Sequence, residues 1–489
     1  MRSINRRAFL KSASGLAALA ALDLNQFGCT STTQPIVHAR PTRGPNERIN
    51  LAVIGLGGRS AGHLQAYSTR NNCRIAYVCD PDTAKAQAAL DRARASNGDA
   101  DAQFVTDLRR VLDDKNVDAV SIVTPNHWHA LAAIWAMQTG KDVFLEKPVS
   151  HNFNEGRQIV DWAQRSGCVC QAGTQMRSNP ALIESMAYLH EGNLGKVLVS
   201  RALCYKPRAT IGKVAGPQQP PSTVDYDLWC GPAPLAPVLR TKFHYDWHWI
   251  WDFGNGDIGN QGVHELDIAR WAINANVHPR SVQSVGGRFG YIDDGQTPNT
   301  LITTFDYGPA MPKLIGEVRG LETKPFHSRG VENVIECEKG FLVSPTYTSA
   351  VAYDRDGNIL RRFDGGNDAN HFNNFIDVVR SRKMSDLRAP IIEGHLSAAL
   401  MHMANISYRL GRQVPLEPKQ DRVFSDDAVA NEAMEKMRQH LADNKIPIES
   451  TMLSLGRRLR FDPKSERFAD SDANRMTSRE YRKPFTLPV

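Results

Sequence analysis

Ile49-Asn50-Leu51-Ala52-Val53-Ile54-Gly55-Leu56-Gly57-Gly58-Arg59-Ser60 is a short apolar run broken by a glycine-rich turn, and a helical pattern follows it through Tyr67. Strand, turn and helix in that order make a nucleotide-binding unit, because the glycines let backbone N–H groups meet a pyrophosphate at a helix N-terminus. Ser60 stands where the third glycine of Gly-x-Gly-x-x-Gly would be, and it is little larger than the alanine also used there. Gly55, Gly57, Gly58, Arg59 and Ser60 are therefore candidate cofactor contacts.

The flanking pattern extends this unit into a domain. A second strand, Arg74 to Cys79, ends in Asp80, placed to take the ribose hydroxyls of NAD. Asp82 follows and no arginine sits immediately beside it, so a 2′-phosphate would be repelled and NAD is favoured over NADP. A helix from Thr83 to Ala95, a strand near Gln103 to Val105, a strand from Val117 to Val123 and a helix from His129 to Gln138 continue the alternation. That rhythm predicts an α/β fold with a parallel, doubly wound sheet. Thr124-Pro125-Asn126 and His129 then lie at the carboxyl end of the fourth strand, where ligands sit. Strand Asp142 to Leu145 ends in Glu146-Lys147-Pro148, and Lys147 is placed to donate to a substrate hydroxyl or tune its acidity. His127 and His129 have no third ligand nearby, so no metal is assigned.

A second landmark is Trp247-His248-Trp249-Ile250-Trp251-Asp252-Phe253-Gly254-Asn255-Gly256-Asp257-Ile258-Gly259-Asn260-Gln261-Gly262-Val263-His264-Glu265-Leu266-Asp267. Read as extended, Trp247, Trp249 and Trp251 line one face, a flat apolar surface with ring N–H groups suited to a sugar. The glycines permit tight turns, and His264 and Asp267 fall one turn apart on the helix that follows.

Chain length points to two domains. The net charge of +7 comes with no long basic run and no zinc-finger spacing, which excludes nucleic acid as a partner. Asn5-Arg6-Arg7-Ala8-Phe9-Leu10-Lys11 and the weakly apolar run to Leu24 resemble a bacterial twin-arginine export signal, which implies the twin-arginine translocase as a partner and a periplasmic destination. Cys29 offers a weak lipid-anchor pattern. The eight cysteines are too scattered for a disulfide scaffold.

Together, the glycine turn, Asp80, Thr124-Pro125-Asn126, Glu146-Lys147-Pro148, the His264 stretch and Tyr226-Asp227-Leu228-Trp229-Cys230-Gly231-Pro232 resemble the Gfo/Idh/MocA oxidoreductases. The resemblance implies a Rossmann dinucleotide-binding domain followed by an α/β domain with an open, mostly antiparallel sheet. The hairpin-like runs after Cys168 suit such a sheet. It implies Lys147 and His264 as catalytic residues, with Asn260 where many members carry an aspartate that partners the histidine. Asp257 and Asp267 are the nearby carboxylates that would orient His264 instead. Gln175 and Arg177 match a position near the substrate, joining Trp247, Trp249, Trp251 and Asp267 as expected substrate contacts.

The expected organisation is residues 1–46 signal and linker, 47–167 Rossmann domain, 168–420 substrate and oligomerisation domain, and 421–489 a helix and extended tail. The expected activity is hydride transfer between a carbohydrate hydroxyl carbon and tightly bound NAD. The alternatives are an NAD-dependent redox-neutral glycosidase, which oxidises C3 transiently before elimination, and a non-catalytic nucleotide sensor. A homo-oligomer is expected by analogy.

Overall fold

The computed structural model describes residues 42–44, 47–68, 70, 72–95, 101–416, 423–424 and 427–488. The export-signal pattern and Cys29 lie outside them.

Six short strands, β1 (Ile49–Ile54), β2 (Cys73–Cys79), β3 (Gln103–Val105), β4 (Ala119–Ile122), β5 (Asp142–Leu145) and β6 (Cys170–Ala172), form a parallel sheet in the order β3-β2-β1-β4-β5-β6. Their apolar runs are buried on both faces, as a sheet covered by helices requires. The strand order reverses between β1 and β4, so a crevice opens beyond their carboxyl ends. One covering helix comes from late in the chain: Phe372, Phe375, Ile376 and Val379 of Ala369–Ser381 join the core around Leu51, Val53 and Phe144.

The second sheet contains β7 (Val197–Tyr205), β8 (Ser281–Gly287), β9 (Thr300–Asp306), β10 (Lys313–Arg319), β11 (Val331–Cys337), β12 (Gly340–Thr346), β13 (Ser349–Asp354), β14 (Ile359–Asp364), β15 (Arg412–Pro415) and β16 (Met452–Leu455). Its order is β14-β13-β12-β11-β7-β10-β9-β8-β16-β15, with β17 (Leu459–Asp462) also on β8 and β18 (Arg467–Phe468) on β17. Only β7 and β10 pair in parallel among these described strands. Helix Ala428–Asp443 lays Met434, Met437 and Leu441 on Val199, Ile302 and Ile315, covering part of one face. Helices Gly262–Ala272 and Ile391–Arg409 pack between the other face and the Rossmann domain.

Two expectations change. The boundary at residue 420 does not divide the structure, because β16 and β17 from the tail complete the second sheet. Strands of four residues carry too little alternation to stand out in sequence. The helix expected from His129 begins at Asn126, directly after Pro125, so Asn126 and both histidines belong to its first turn.

Candidate functional site, a cleft walled by a strap and a tail

A cleft of ≈ 330 Å³ runs along the carboxyl ends of the Rossmann strands, from Asp80 past the glycine turn to Lys147. Gly55 has φ +92°, and a Cβ there would come 2.6 Å from the Thr124 nitrogen, so no other residue fits without moving the β4 loop. Gly57 and Gly58 face open space, which leaves the turn clear for phosphate. Ser60 donates its hydroxyl hydrogen to the Gly57 carbonyl at 2.6 Å and opens helix Ser60–Ser68, so it fixes the turn and does not line the cleft.

Asp80 is buried at the far end, accepting from the Leu56 N–H at 2.7 Å and the Asp82 N–H at 3.0 Å. Lys85, missed in the sequence reading, sits 3.2 Å from its carboxylate. Thr124, Pro125, Asn126, Glu146 and Lys147 line the other end. Asn126 donates to the Asn255 side chain at 2.9 Å, tying this loop to the second landmark. His129 stands behind the cleft, its ring nitrogens 2.6 Å from the Pro148 carbonyl and 2.9 Å from the Thr124 carbonyl. It braces two loops and is not a lining residue.

Glu146 is the hub of a buried polar chain. It accepts from Arg59 Nε at 2.9 Å and lies 3.0 Å from His63 Nε2, while His63 Nδ1 is 2.7 Å from Ser121 Oγ. Burial pushes its pKa up, but the hydrogen bond from His63 and the Arg59 charge win and hold it well below the usual carboxylate range. Lys147 donates from Nζ to the Asn260 carbonyl at 2.5 Å, and burial lowers its pKa against the opposing pull of Glu146. Asn260 lines the cleft with it.

The His264 expectation needs correction in its partners. His264 is buried, its ring 5.1 Å from Tyr347, and Nδ1 has no hydrogen-bond partner. Burial, then the charge of Lys147, depress its pKa well below the ordinary value. Neither candidate carboxylate orients it. Asp257 is clamped by Arg208 at 3.0 and 2.6 Å. Asp267 is fully buried between Arg177, 2.9 and 3.0 Å away, and the Ser397 hydroxyl at 2.6 Å. Arg177 and Asp267 thus form an interior ion pair, and neither they nor Gln175 line the cleft. An isolated motif reads the same whether its charge faces a ligand or a buried partner.

The tryptophans also depart from the extended reading. Asp246–Trp249 is a 3-10 turn, and the chain doubles back at Gly254, where a Cβ would lie 2.5 Å from the His248 carbonyl. Trp247 lines the cleft, but its ring N–H donates to the His244 carbonyl at 2.9 Å and its face stacks on His248, 3.7 Å between centroids. Trp249 lies under Arg208, 5.5 Å from its ring centre, and Trp251 lies against Arg409, at 4.8 Å, on a separate cavity. A period of two in the sequence cannot be one face once the backbone turns every three residues.

Three residues that the sequence reading passed over complete the site. Tyr245 and His248 line the cleft beside Lys147. Glu265 accepts from the Tyr347 hydroxyl at 3.0 Å and the Gln261 amide at 3.2 Å, while its other oxygen is buried and unpartnered. Burial raises it to about 8.

A strap closes the Asp80 side of the cleft. The Asp225 N–H donates to the Pro81 carbonyl at 2.9 Å, His244 meets Asp82 at 2.8 Å, and Trp128 donates to the Leu228 carbonyl at 3.0 Å. The tail pins the strap in turn: Arg482 binds the Gly231 carbonyl at 3.0 Å and the Asp227 carboxylate at 2.5 Å.

Residues 49–174 match the model of an oxidoreductase family's NAD-binding Rossmann fold, and residues 190–287 match that family's C-terminal α/β domain. Over these two stretches the chain is similar to both domains of the Gfo/Idh/MocA oxidoreductase family. Among similar proteins, a "Glycosyl hydrolase family 109 protein" of Shewanella pealeana is 28% identical over 213 residues, 41% of this chain and 45% of that protein. "Inositol 2-dehydrogenase 2" of Saccharopolyspora erythraea is 26% identical over 231 residues, 47% and 55% of the two chains. The matches therefore span about half the length of these curated relatives. A levoglucosan dehydrogenase solved with NADH and levoglucosan shares the fold at TM-score 0.55 and 17% identity, over 73% of this chain and 97% of that one. The described fold agrees with the family's Rossmann domain and mostly antiparallel second domain. No helix among the described residues is long and apolar enough to cross a membrane.

Proposed function

We propose that the protein binds NAD in this cleft and oxidises or reduces a hydroxyl-bearing carbon of a sugar, glycoside or polyol. The observation that carries this reading is a single cleft that joins an uncrowded glycine turn to a half-buried lysine. The residues fit the cofactor: open space at Gly57 and Gly58, a carboxylate at Asp80 and a helix N-terminus at Ser60. Bound NAD supplies the carbon that exchanges hydride with the substrate. Lys147, its pKa lowered by burial, holds the substrate oxygen and takes its proton. The Asn260 carbonyl fixes the Lys147 nitrogen, and Trp247 with Tyr245 and His248 walls the sugar side. His264, neutral and without an orienting carboxylate, supports Lys147 and is not the principal base. The test is purification without added nucleotide, denaturation, mass identification of what is released, and a glycoside screen. Stoichiometric NAD and a keto-sugar product are expected; a protein that neither carries nor binds NAD overturns the reading and favours a sensor.

The glycosidase reading is favoured by one observation, the family 109 hydrolases among the relatives. It predicts free sugar with no reduced cofactor accumulating. The strap and tail suit either reading, since both need the cofactor retained. Export through the twin-arginine translocase to the periplasm is proposed from Arg6 and Arg7, with anchoring at Cys29 secondary. Replacing both arginines by lysine should leave the protein in the cytoplasm. A homo-oligomer is proposed by analogy, and light scattering of the purified chain tests it.

A further inference from the structure

We propose that His278, His395 and Glu466 form a structural site for a divalent transition-metal ion, with zinc the best match to the donor set. One ligand atom from each lies within 4.8 Å of the others. His278 follows helix Gly262–Ala272, His395 lies in helix Ile391–Arg409, and Glu466 occupies the turn between β17 and β18. Their distance apart in the chain hid them from motif reading, which assigned no metal.

The hydrogen bonds account for Glu466 and for one nitrogen of His278, but not for His395. Glu466 Oε2 accepts from Arg157 Nε at 3.1 Å, and Oε1 is 3.0 Å from His278 Nε2. His395 is completely buried with neither ring nitrogen hydrogen-bonded, and the 3.7 Å from its Nε2 to Glu466 Oε1 is too long for a bond. Ligands about 2.0–2.1 Å from a tetrahedral ion stand roughly 3.4 Å apart, and the 3.0 and 3.7 Å separations bracket that value. Two imidazoles and one carboxylate suit zinc, with water as the fourth ligand. Arg157 would hold the carboxylate in place, meeting Oε2 with Nε and Oε1 with Nη2, each at 3.1 Å. Phe153 and Phe461 pack on the histidine rings at 5.2 to 5.7 Å and hold them in place. Gly156 makes room, since a Cβ there would come 2.4 Å from His395 Nδ1. Glu466 holds a left-handed backbone at φ +53°, a conformation that a non-glycine residue keeps only where its surroundings demand it.

The site would fasten the tail hairpin to the body, upstream of Arg482, which pins the strap. The experiment uses full-length protein without a histidine tag, chelated, dialysed and titrated with zinc or cobalt(II) alone. One ion per chain by elemental analysis, a tetrahedral cobalt absorption band and a melting temperature raised by several degrees are expected. His395→Ala and, should that variant fail to fold, Glu466→Gln or His278→Gln should bind at least about 100-fold more weakly. Wild-type protein that takes up neither ion, or variants that all bind as tightly as wild type, would overturn the proposal.

Discussion

Two buried carboxyls act on Lys147, Glu146 from the end of β5 and Glu265 from helix Gly262–Ala272, and their surroundings drive them in opposite directions. Burial raises both. Glu146 faces the guanidinium of Arg59 and the imidazole of His63, and stays ionised. Glu265 faces a phenol and an amide, neutral donors that satisfy one oxygen only, and rises to about 8. Partners rather than depth therefore set the charge. The Rossmann side supplies a fixed anion beside the lysine, and the second domain supplies a carboxyl that is protonated at neutral pH.

The largest effect should come from removing the group between them. Lys147→Met should lower turnover by about 10²- to 10⁴-fold while NAD still co-purifies; full activity would remove Lys147 from the chemistry. In the wild type, kcat/KM should rise with pH toward the lowered pKa of Lys147 and then level, because the neutral amine accepts the proton. Next comes Glu146→Ala, which strips His63 and Arg59 of their shared anion. Loss of a buried ion-pair member costs about 3–5 kcal/mol, visible as a lower melting temperature and weaker NAD retention. An unchanged melting curve would mean that Asp368 alone suffices for Arg59.

Glu265→Gln should act through pH. Its folded pKa, about 8, stands above the unfolded value near 4.5. The stability it contributes is thus full below pH 4.5 and is lost as pH rises toward 8. The variant should melt like wild type near pH 4.5 and gain over it by about 2–4 kcal/mol at pH 8. Parallel melting curves across that range would show Glu265 ionised throughout.

This contrast marks how far the sequence could be read. Gly55, Gly57, Asp80 and Lys147 were legible because each follows a strand, and a parallel sheet sends every strand end to one crevice. The stretch from Trp247 to Asp267 was not, since its geometry depends on what it packs against. Trp249 and Trp251 were assigned to a sugar and belong with Arg208 and Arg409. Arg177 and Asp267 were assigned to the substrate and found each other, although they lie far apart in the chain. Glu265 carries no sequence signal apart from its place after His264, because its state follows from Tyr347 and Gln261.

His264 gives the smallest and most discriminating effect. An effective imidazole base needs a partner that fixes its tautomer and stabilises its charged form. Here the residue four positions earlier is Asn260, Asp257 and Asp267 are held by arginines, and the nearby lysine opposes protonation. His264→Gln should therefore cost about tenfold in turnover, roughly 1.4 kcal/mol, without moving the pH profile. A loss as deep as that of Lys147→Met would make His264 the principal base. Asn260→Asp with His264 retained should raise the proton affinity of the group that takes the substrate proton, Lys147 or His264, and move the rise of the profile to higher pH. A shift that persists in the Asn260→Asp/His264→Gln double variant assigns proton transfer to Lys147, and one that disappears with the imidazole returns it to His264.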